Sequence, residues 1–128
     1  MKKILIVEDE IAYVQLLKDL LTRHGYTVID ANDGKKGLAL AKSAHPDLIL
    51  LDVRMPVMDG MSMLKELRKD LYGKSVNVIV LTNLEPNDEM IKESIQGYPS
   101  YYFVKSDIKL IDLFSRIEEL LLSEGKAI

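Results

Sequence analysis

The 128-residue chain has no cysteine and no tryptophan, and only four prolines. Without cysteine it cannot form a disulfide framework, a thiolate metal site or a cysteine nucleophile. Its longest uninterrupted apolar runs are four residues, far below the ~20 that a membrane-spanning helix needs. The amino terminus has too short an apolar segment for a secretory signal peptide. We therefore predict a cytoplasmic protein with no membrane contact.

A basic excess is also missing, because 17 Lys and Arg residues stand against 20 Asp and Glu residues. Surfaces that bind nucleic acid in bulk carry an excess of basic residues, so direct nucleic-acid binding is not expected. The chain is 48% hydrophobic and 29% charged, which is typical of a globular domain. The length indicates one domain, and no linker or repeat divides it. We predict a single domain over residues 1–128, with no output domain.

Short apolar segments alternate along the chain with longer segments in which apolar residues recur three and four positions apart. The short segments predict five strands, at 3–8, 26–31, 48–52, 76–82 and 101–105. Four of them are mostly continuous apolar runs, as in strands that are buried on both faces of a parallel sheet. The second mixes polar and apolar residues, which predicts an edge strand. Strict alternation predicts an α/β fold, (βα)5, with a doubly wound five-stranded parallel sheet.

The longer segments predict five helices. Asp107 is expected to cap the last helix, and weaker patterns at Leu38 and Ala41 and at Met90, Ile91 and Ile95 indicate the second and fourth helices. The residues predicted to be buried are Ile11, Val14, Leu17 and Leu21 in the first helix, Met61, Leu64, Leu67 and Leu71 in the third, and Leu110, Leu113, Phe114, Ile117, Leu120 and Leu121 in the last.

Polar side chains stand where the predicted strands end, which is where doubly wound sheets bind ligands. Glu8 and Asp9 follow the first strand and Asp52 ends the third, while Thr82 and Lys105 end the fourth and fifth. Three carboxylates at one edge repel each other unless a cation is present, and oxygen ligands without histidine or cysteine suit Mg²⁺. Each residue alone has an ordinary structural explanation. Together the five predict a site for a phosphate beside a metal, where an aspartate can accept a phosphoryl group.

These residues also carry a family resemblance. The motifs are the acidic pair Glu8-Asp9, the segment 50–60 with Asp52, Met55-Pro56 and Asp59-Gly60, then Thr82, and finally Tyr102-Phe103-Val104-Lys105. In combination, and over essentially the whole chain, they resemble the response regulator receiver domains of two-component systems. The resemblance implies a flavodoxin-like strand order 2-1-3-4-5 and a stand-alone regulator of the chemotaxis type.

The resemblance also implies roles for the site residues. Asp52 would be the phosphoacceptor, supplied by a histidine kinase or a phosphotransfer protein. Asp52, Asp9 and the backbone carbonyl of Arg54 would hold Mg²⁺, and Glu8 would act on the ion through water. The chain would be no enzyme toward external substrates, since a phosphatase would need a second acid where Arg54 stands.

Phosphorylation would produce a signal through movements of Thr82 and Tyr102. Thr82 and Lys105 would bind the phosphoryl oxygens, the Thr82 hydroxyl would move inward, and Tyr102 would rotate into the vacated space. The predicted fourth helix, fifth strand and last helix would then present a changed face to an unknown protein target. A homodimer through this face is an open alternative.

Two of the departures from the family pattern bear on whether the domain is phosphorylated. Ser106 stands where the family usually has a proline with a cis peptide bond before it, and Asn83 stands where a small residue is usual. Both are compatible with an alternative interpretation, in which the domain is a phosphorylation-independent (pseudo-receiver) interaction module. The complete set of five polar site residues argues against this alternative, because a binding module does not need all of them.

Overall fold

The computed structural model describes residues 1–83 and 98–124. Five parallel strands form one sheet in the order β2-β1-β3-β4-β5, as predicted. The strands are β1 (Lys3–Val7), β2 (Thr27–Ala31), β3 (Leu48–Leu51), β4 (Asn77–Thr82) and β5 (Tyr101–Val104). The described helices are α1 (Ile11–Arg23), α2 (Gly34–Ala44), α3 (Gly60–Leu67) and α4 (Leu110–Glu124). The helix predicted around Met90, Ile91 and Ile95 lies outside the described residues.

Two apolar layers enclose the sheet, one on each face. Successive side chains of a strand point to opposite faces, so that Leu5 and Val7 pack with α2 and α3 while Ile4 and Ile6 pack with α1 and α4. Burial on both faces explains why these strands are continuous apolar runs. β2 is half-exposed and lies at the edge of the sheet, which confirms its predicted place.

The buried faces of the helices differ from the prediction at three residues. Ile11 is exposed, because it lies at the first residue of α1 beside an open cavity between α1 and α2. α3 buries Met63 where Met61 was predicted, and Leu71 is exposed because the helix ends at Leu67. Tight turns follow, in which the N–H groups of residues 69 and 70 donate to carbonyls three positions earlier.

The predicted cap of the last helix is also wrong. α4 begins at Leu110, and the carbonyl of Lys109 accepts the N–H of Leu113 at 3.0 Å. Asp107 lies earlier, in the turn that leaves β5, where its own N–H donates to the carbonyl of Val104 at 2.9 Å. The turn after β5 therefore includes Asp107, which lies too early in the chain to cap the helix. Within the described ranges, no helix has the length and apolar character to cross a bilayer.

Candidate functional site

The carboxyl ends of β1, β3, β4 and β5 meet at one edge of the sheet. Backbone hydrogen bonds continue one residue past the strands there. The N–H of Asp52 donates to the carbonyl of Val7 at 3.0 Å, and the N–H of Lys105 donates to the carbonyl of Thr82 at 2.7 Å. Since these bonds tie each polar residue to the neighbouring strand, the sheet itself positions the side chains of the site.

Three carboxylates converge at this edge, as predicted. Glu8, Asp9 and Asp52 each offer an oxygen atom, and these atoms lie within 4.8 Å of one another. Glu8 is 4% exposed and Asp52 is 8% exposed, whereas Asp9 is open to solvent. One oxygen of each buried acid is held by the backbone, because Glu8 accepts the N–H of Glu10 at 3.0 Å and Asp52 Oδ1 accepts the N–H of Val53 at 2.7 Å.

Lys105 supplies the positive charge in this cluster. Its Nζ lies 2.5 Å from Glu8 Oε1 and 3.6 Å from Asp52 Oδ2, and its side chain is 9% exposed. Glu10 also faces the ammonium, with Oε1 at 3.6 Å. Glu10 was not among the predicted site residues, and its position directly after the acidic pair is the one feature of the sequence that points to it. No cis peptide bond occurs in the described residues, so Lys105 reaches the site through a trans bond to Ser106.

Burial is the largest influence on the pKa of Glu8. It raises the pKa of Glu8 from 4.5 to about 7, and the charge of Asp52 adds to the rise, against hydrogen bonds from Lys105 and the Glu10 backbone. Burial by itself would lower the pKa of Lys105, but the hydrogen bond to Glu8 and the surrounding carboxylates raise it. One ammonium therefore offsets only part of the negative charge that the strands bring together, and the site favours a further cation.

The space above these groups is a cavity of about 270 Å³. Arg54 stands at its exposed rim, Thr82 is buried, and Asn83 borders it with an exposed side chain. Among the described residues, its lining contains carboxylate, amide and hydroxyl oxygens but no imidazole or thiolate, and this donor set fits Mg²⁺. The described lining residues are Glu8, Asp9, Glu10, Asp52, Arg54, Thr82, Asn83 and Lys105.

The loop after β3 explains the remaining motif of the segment 50–60. Asp59 caps α3 by accepting the N–H of Ser62 at 2.8 Å. Gly60 begins the helix, and its N–H donates to the carbonyl of Val53 at 2.8 Å. The carbonyl of Met58 accepts the N–H of Gly34 at 2.9 Å, which ties the same loop to the first turn of α2. The loop that follows Asp52 is therefore anchored on two helices.

Val57 is the strained residue of this loop. Its φ is +69°, and the N–H of Met58 donates to the carbonyl of Pro56 at 2.8 Å, as in a γ-turn. A branched residue is disfavoured at positive φ, and the Val57 side chain, which is 79% exposed, gains little from burial.

We expect Val57→Gly to raise the free energy of unfolding by about 1 kcal/mol, because the relief of strain exceeds the entropy that glycine adds to the unfolded chain. Urea unfolding measures this difference. Val57→Ala retains a Cβ atom and should stay close to the wild type. A glycine variant less stable than the alanine variant would show that Val57 carries no strain.

Tyr102 lies on β5, paired with Val80 of β4. It is partly buried and packs against the core layer of α2 and α3. Because side chains alternate along a strand, Thr82, two residues beyond Val80, points to the same face as Tyr102. The two residues of the predicted switch thus share one face of the sheet, and their movement on phosphorylation stays a prediction.

The fold and the acidic pocket at the carboxyl edge define a receiver domain. The family model for the response regulator receiver domain matches residues 4–118. The chain belongs to this family, which confirms the resemblance of its motifs.

Individual proteins show the same likeness. The chain is 42% identical over 120 residues to a probable transcriptional regulator, ycf27, of Cyanophora paradoxa, covering 94% of this chain and 48% of that one. It is 33% identical over 101 residues to the protein PilH of Pseudomonas aeruginosa, covering 79% of this chain and 84% of PilH. The chain thus spans about half the length of the ycf27 regulators it matches.

A solved structure shares the architecture. The receiver domain of the sensor histidine kinase PA1611 from Pseudomonas aeruginosa superposes with a TM-score of 0.84 at 28% identity, over 93% of this chain and 96% of that one. That structure has a magnesium ion coordinated in its active-site cleft.

Proposed function

We propose that this receiver domain is a phosphoacceptor, and that Asp52 receives a phosphoryl group from a histidine kinase or a phosphotransfer protein in a Mg²⁺-dependent reaction. The observation that carries the proposal is the setting of Asp52. Its buried carboxylate lies 3.6 Å from the ammonium of Lys105 and within 4.8 Å of the carboxylate oxygens of Glu8 and Asp9. This setting combines a nucleophile, a counter-charge and oxygen ligands for a metal.

The residues around Asp52 suit a divalent ion. Asp9, Asp52 and the backbone carbonyl of Arg54 would hold Mg²⁺, with Glu8 acting through a water molecule. The magnesium ion in the active-site cleft of the PA1611 domain supports a magnesium site at this place in the fold. When bound, the ion neutralises charge on the phosphoryl group during its transfer.

The chain's own groups can carry out the transfer. Asp52 Oδ1 is held by the N–H of Val53, while Oδ2 faces Lys105. A carboxylate oxygen of Asp52 attacks phosphorus, the bond from phosphorus to the donor breaks, and an aspartyl phosphate forms. Lys105 and Thr82, which line the same cavity, bind the phosphoryl oxygens. Arg54, and not a second acid, stands two residues after Asp52, where a phosphatase would need a general acid and base, so we propose no enzymatic action on external substrates.

The phosphoryl group is the signal in this proposal. The group carries a charge of about −1.5 to −2 and places three strong hydrogen-bond acceptors at one point. The Thr82 hydroxyl would turn toward it and Tyr102 would follow, which changes the surface around β5 and α4 for a protein target or a second copy of the chain. We place the domain in the cytoplasm with its kinase. No contact in the described part of the chain favours the phosphorylation-independent module, since Lys105 reaches Glu8 and Asp52 although Ser106 follows it.

The test is a mass measurement. The protein is incubated with acetyl phosphate and Mg²⁺, and its intact mass is compared with that of Asp52→Asn, of the control Asp19→Asn, and of wild type in EDTA. Asp19 is an exposed aspartate on α1. We expect one phosphoryl group on the wild type and on the control, and none on Asp52→Asn or without metal. An unmodified wild type that is folded by circular dichroism, or a modified Asp52→Asn, would refute the proposal.

A further inference from the structure

An uncharged side chain also lies beside the ammonium of Lys105. Tyr13, the third residue of α1, places its ring under Nζ, 4.6 Å from the ring centroid. Tyr13 is partly buried and packs against the core layer of α1 and α4. Its ring therefore has a fixed place beside the site, and a cation within ~6 Å of an aromatic ring centroid is attracted to the ring.

We propose that Tyr13 is a positioning residue, and that its ring face holds the Lys105 ammonium in place for the phosphoryl group. The contact is a property of the fold, whereas its effect on phosphorylation rests on the proposed function. Tyr13 itself touches neither Asp52 nor the phosphoryl group in this proposal, and it acts through Lys105.

Lys105 needs such a support because its other partners have competing tasks. The ammonium is bound by Glu8 at 2.5 Å, yet Glu8 is also the residue proposed to act on Mg²⁺. A lysine side chain has a flexible four-carbon stem, which does not by itself fix the position of the ammonium. The residue that follows it is serine, which leaves the backbone freer than the proline usual at this position.

An aromatic ring suits this task better than another carboxylate. The face of the ring carries partial negative charge and attracts a cation, but it does not bind the metal or add a full charge that repels an incoming phosphoryl group. Burial raises the pKa of Tyr13 above its usual value, so its hydroxyl stays neutral. The ring can therefore hold Lys105 while the carboxylates engage the ion.

A purely structural role for Tyr13 predicts different results. Tyr13→Phe keeps the ring face, whereas Tyr13→Leu keeps a smaller apolar side chain without it. Lys105→Met removes the cation and keeps the stem. The first experiment measures the urea midpoint of the metal-free protein for the wild type, Tyr13→Phe, Tyr13→Leu, Lys105→Met and the double variant Tyr13→Leu with Lys105→Met.

We expect Tyr13→Leu to lower the urea midpoint more in the wild type than in the Lys105→Met background, and Tyr13→Phe to retain the wild-type midpoint. Such non-additivity measures the contact between the two side chains. An equal loss in both backgrounds would mean that Tyr13 contributes only packing, and the proposal would be wrong.

The second experiment measures the initial rate of phosphorylation by acetyl phosphate at saturating Mg²⁺. We expect Tyr13→Leu to reduce the rate roughly threefold to tenfold, Tyr13→Phe to stay near the wild type, and Tyr13→Leu to have no further effect once Lys105 is Met. A wild-type rate in Tyr13→Leu overturns the role. If the wild type itself takes up no phosphoryl group, the proposed function fails, and the urea experiment alone decides whether Tyr13 positions Lys105.

Discussion

Gly60→Ala is expected to lower the free energy of unfolding by about 3 kcal/mol and to prevent phosphorylation of Asp52. A Cβ atom at Gly60 would lie 2.0 Å from the carbonyl oxygen of Asp52 and 2.9 Å from the Cα of Val53. These are backbone atoms and cannot rotate away. Alanine favours a helix by up to ~1 kcal/mol over glycine, which is too little to offset the clash.

The clash should also impair phosphorylation, because it displaces the phosphoacceptor Asp52. To relieve it, either Asp52 or the first turn of α3 must move, and the hydrogen bond from Gly60 to the carbonyl of Val53 is lost. Urea unfolding measures the stability, and the acetyl phosphate assay, run below the unfolding transition, measures the modification.

Gly25→Ala is the matched control for this prediction. Gly25 has φ +90° and no atom within 4 Å of an added Cβ, so alanine there adds only backbone strain. We expect a cost of about 1 kcal/mol and normal phosphorylation. If Gly60→Ala were no less stable than Gly25→Ala, the close approach of Gly60 to Asp52 would not exist in solution.

Lys105→Met is expected to separate metal binding from phosphoryl transfer. The ammonium lies 2.5 Å from Glu8 and 3.6 Å from Asp52. Its removal takes away the positive charge nearest to the carboxylates, so Mg²⁺ should bind roughly tenfold more tightly. The phosphoryl oxygens lose a counter-charge at the same time, and the rate of phosphorylation should fall about 10²-fold to 10³-fold.

Calorimetric titration with Mg²⁺ measures the first effect, and the acetyl phosphate assay at saturating Mg²⁺ measures the second without interference from the changed affinity. Lys18→Met is the control, because Lys18 pairs with Asp30 at 2.8 Å on a more exposed part of the surface. It should change neither quantity. Weaker Mg²⁺ binding by Lys105→Met, or an unchanged rate, would contradict the electrostatic account of the site.

The sequence was sufficient to predict the sheet and the gathering of the site. β1, β3 and β4 are continuous apolar runs because both of their faces are buried, and such runs have recognisable ends. Once the strands are parallel, the residues after them must meet at one edge. This is why the sequence predicts that Glu8, Asp52 and Lys105 lie together, and the structure confirms it.

The periodic pattern was less informative about the helices. Met61, Met63, Leu64 and Leu67 are all apolar, and a helix can turn more than one such set toward the sheet. The packing of α3 on the sheet buries Met63 and not Met61, and the helix ends before it reaches Leu71. Likewise, the pattern placed Ile11 on the buried face of α1, although the helix begins there beside an open cavity.

The α/β fold, the five strands and the polar residues at their ends thus follow from local sequence pattern and from the direction of the strands. How the Lys105 ammonium is held follows instead from the packing of the folded chain. Glu10 and Tyr13 face it from the start of α1, and the strained Val57 stands in the loop after Asp52. These contacts depend on how α1 and that loop pack over the end of the sheet. The spacing of residues within one segment does not determine the distance between two separate segments.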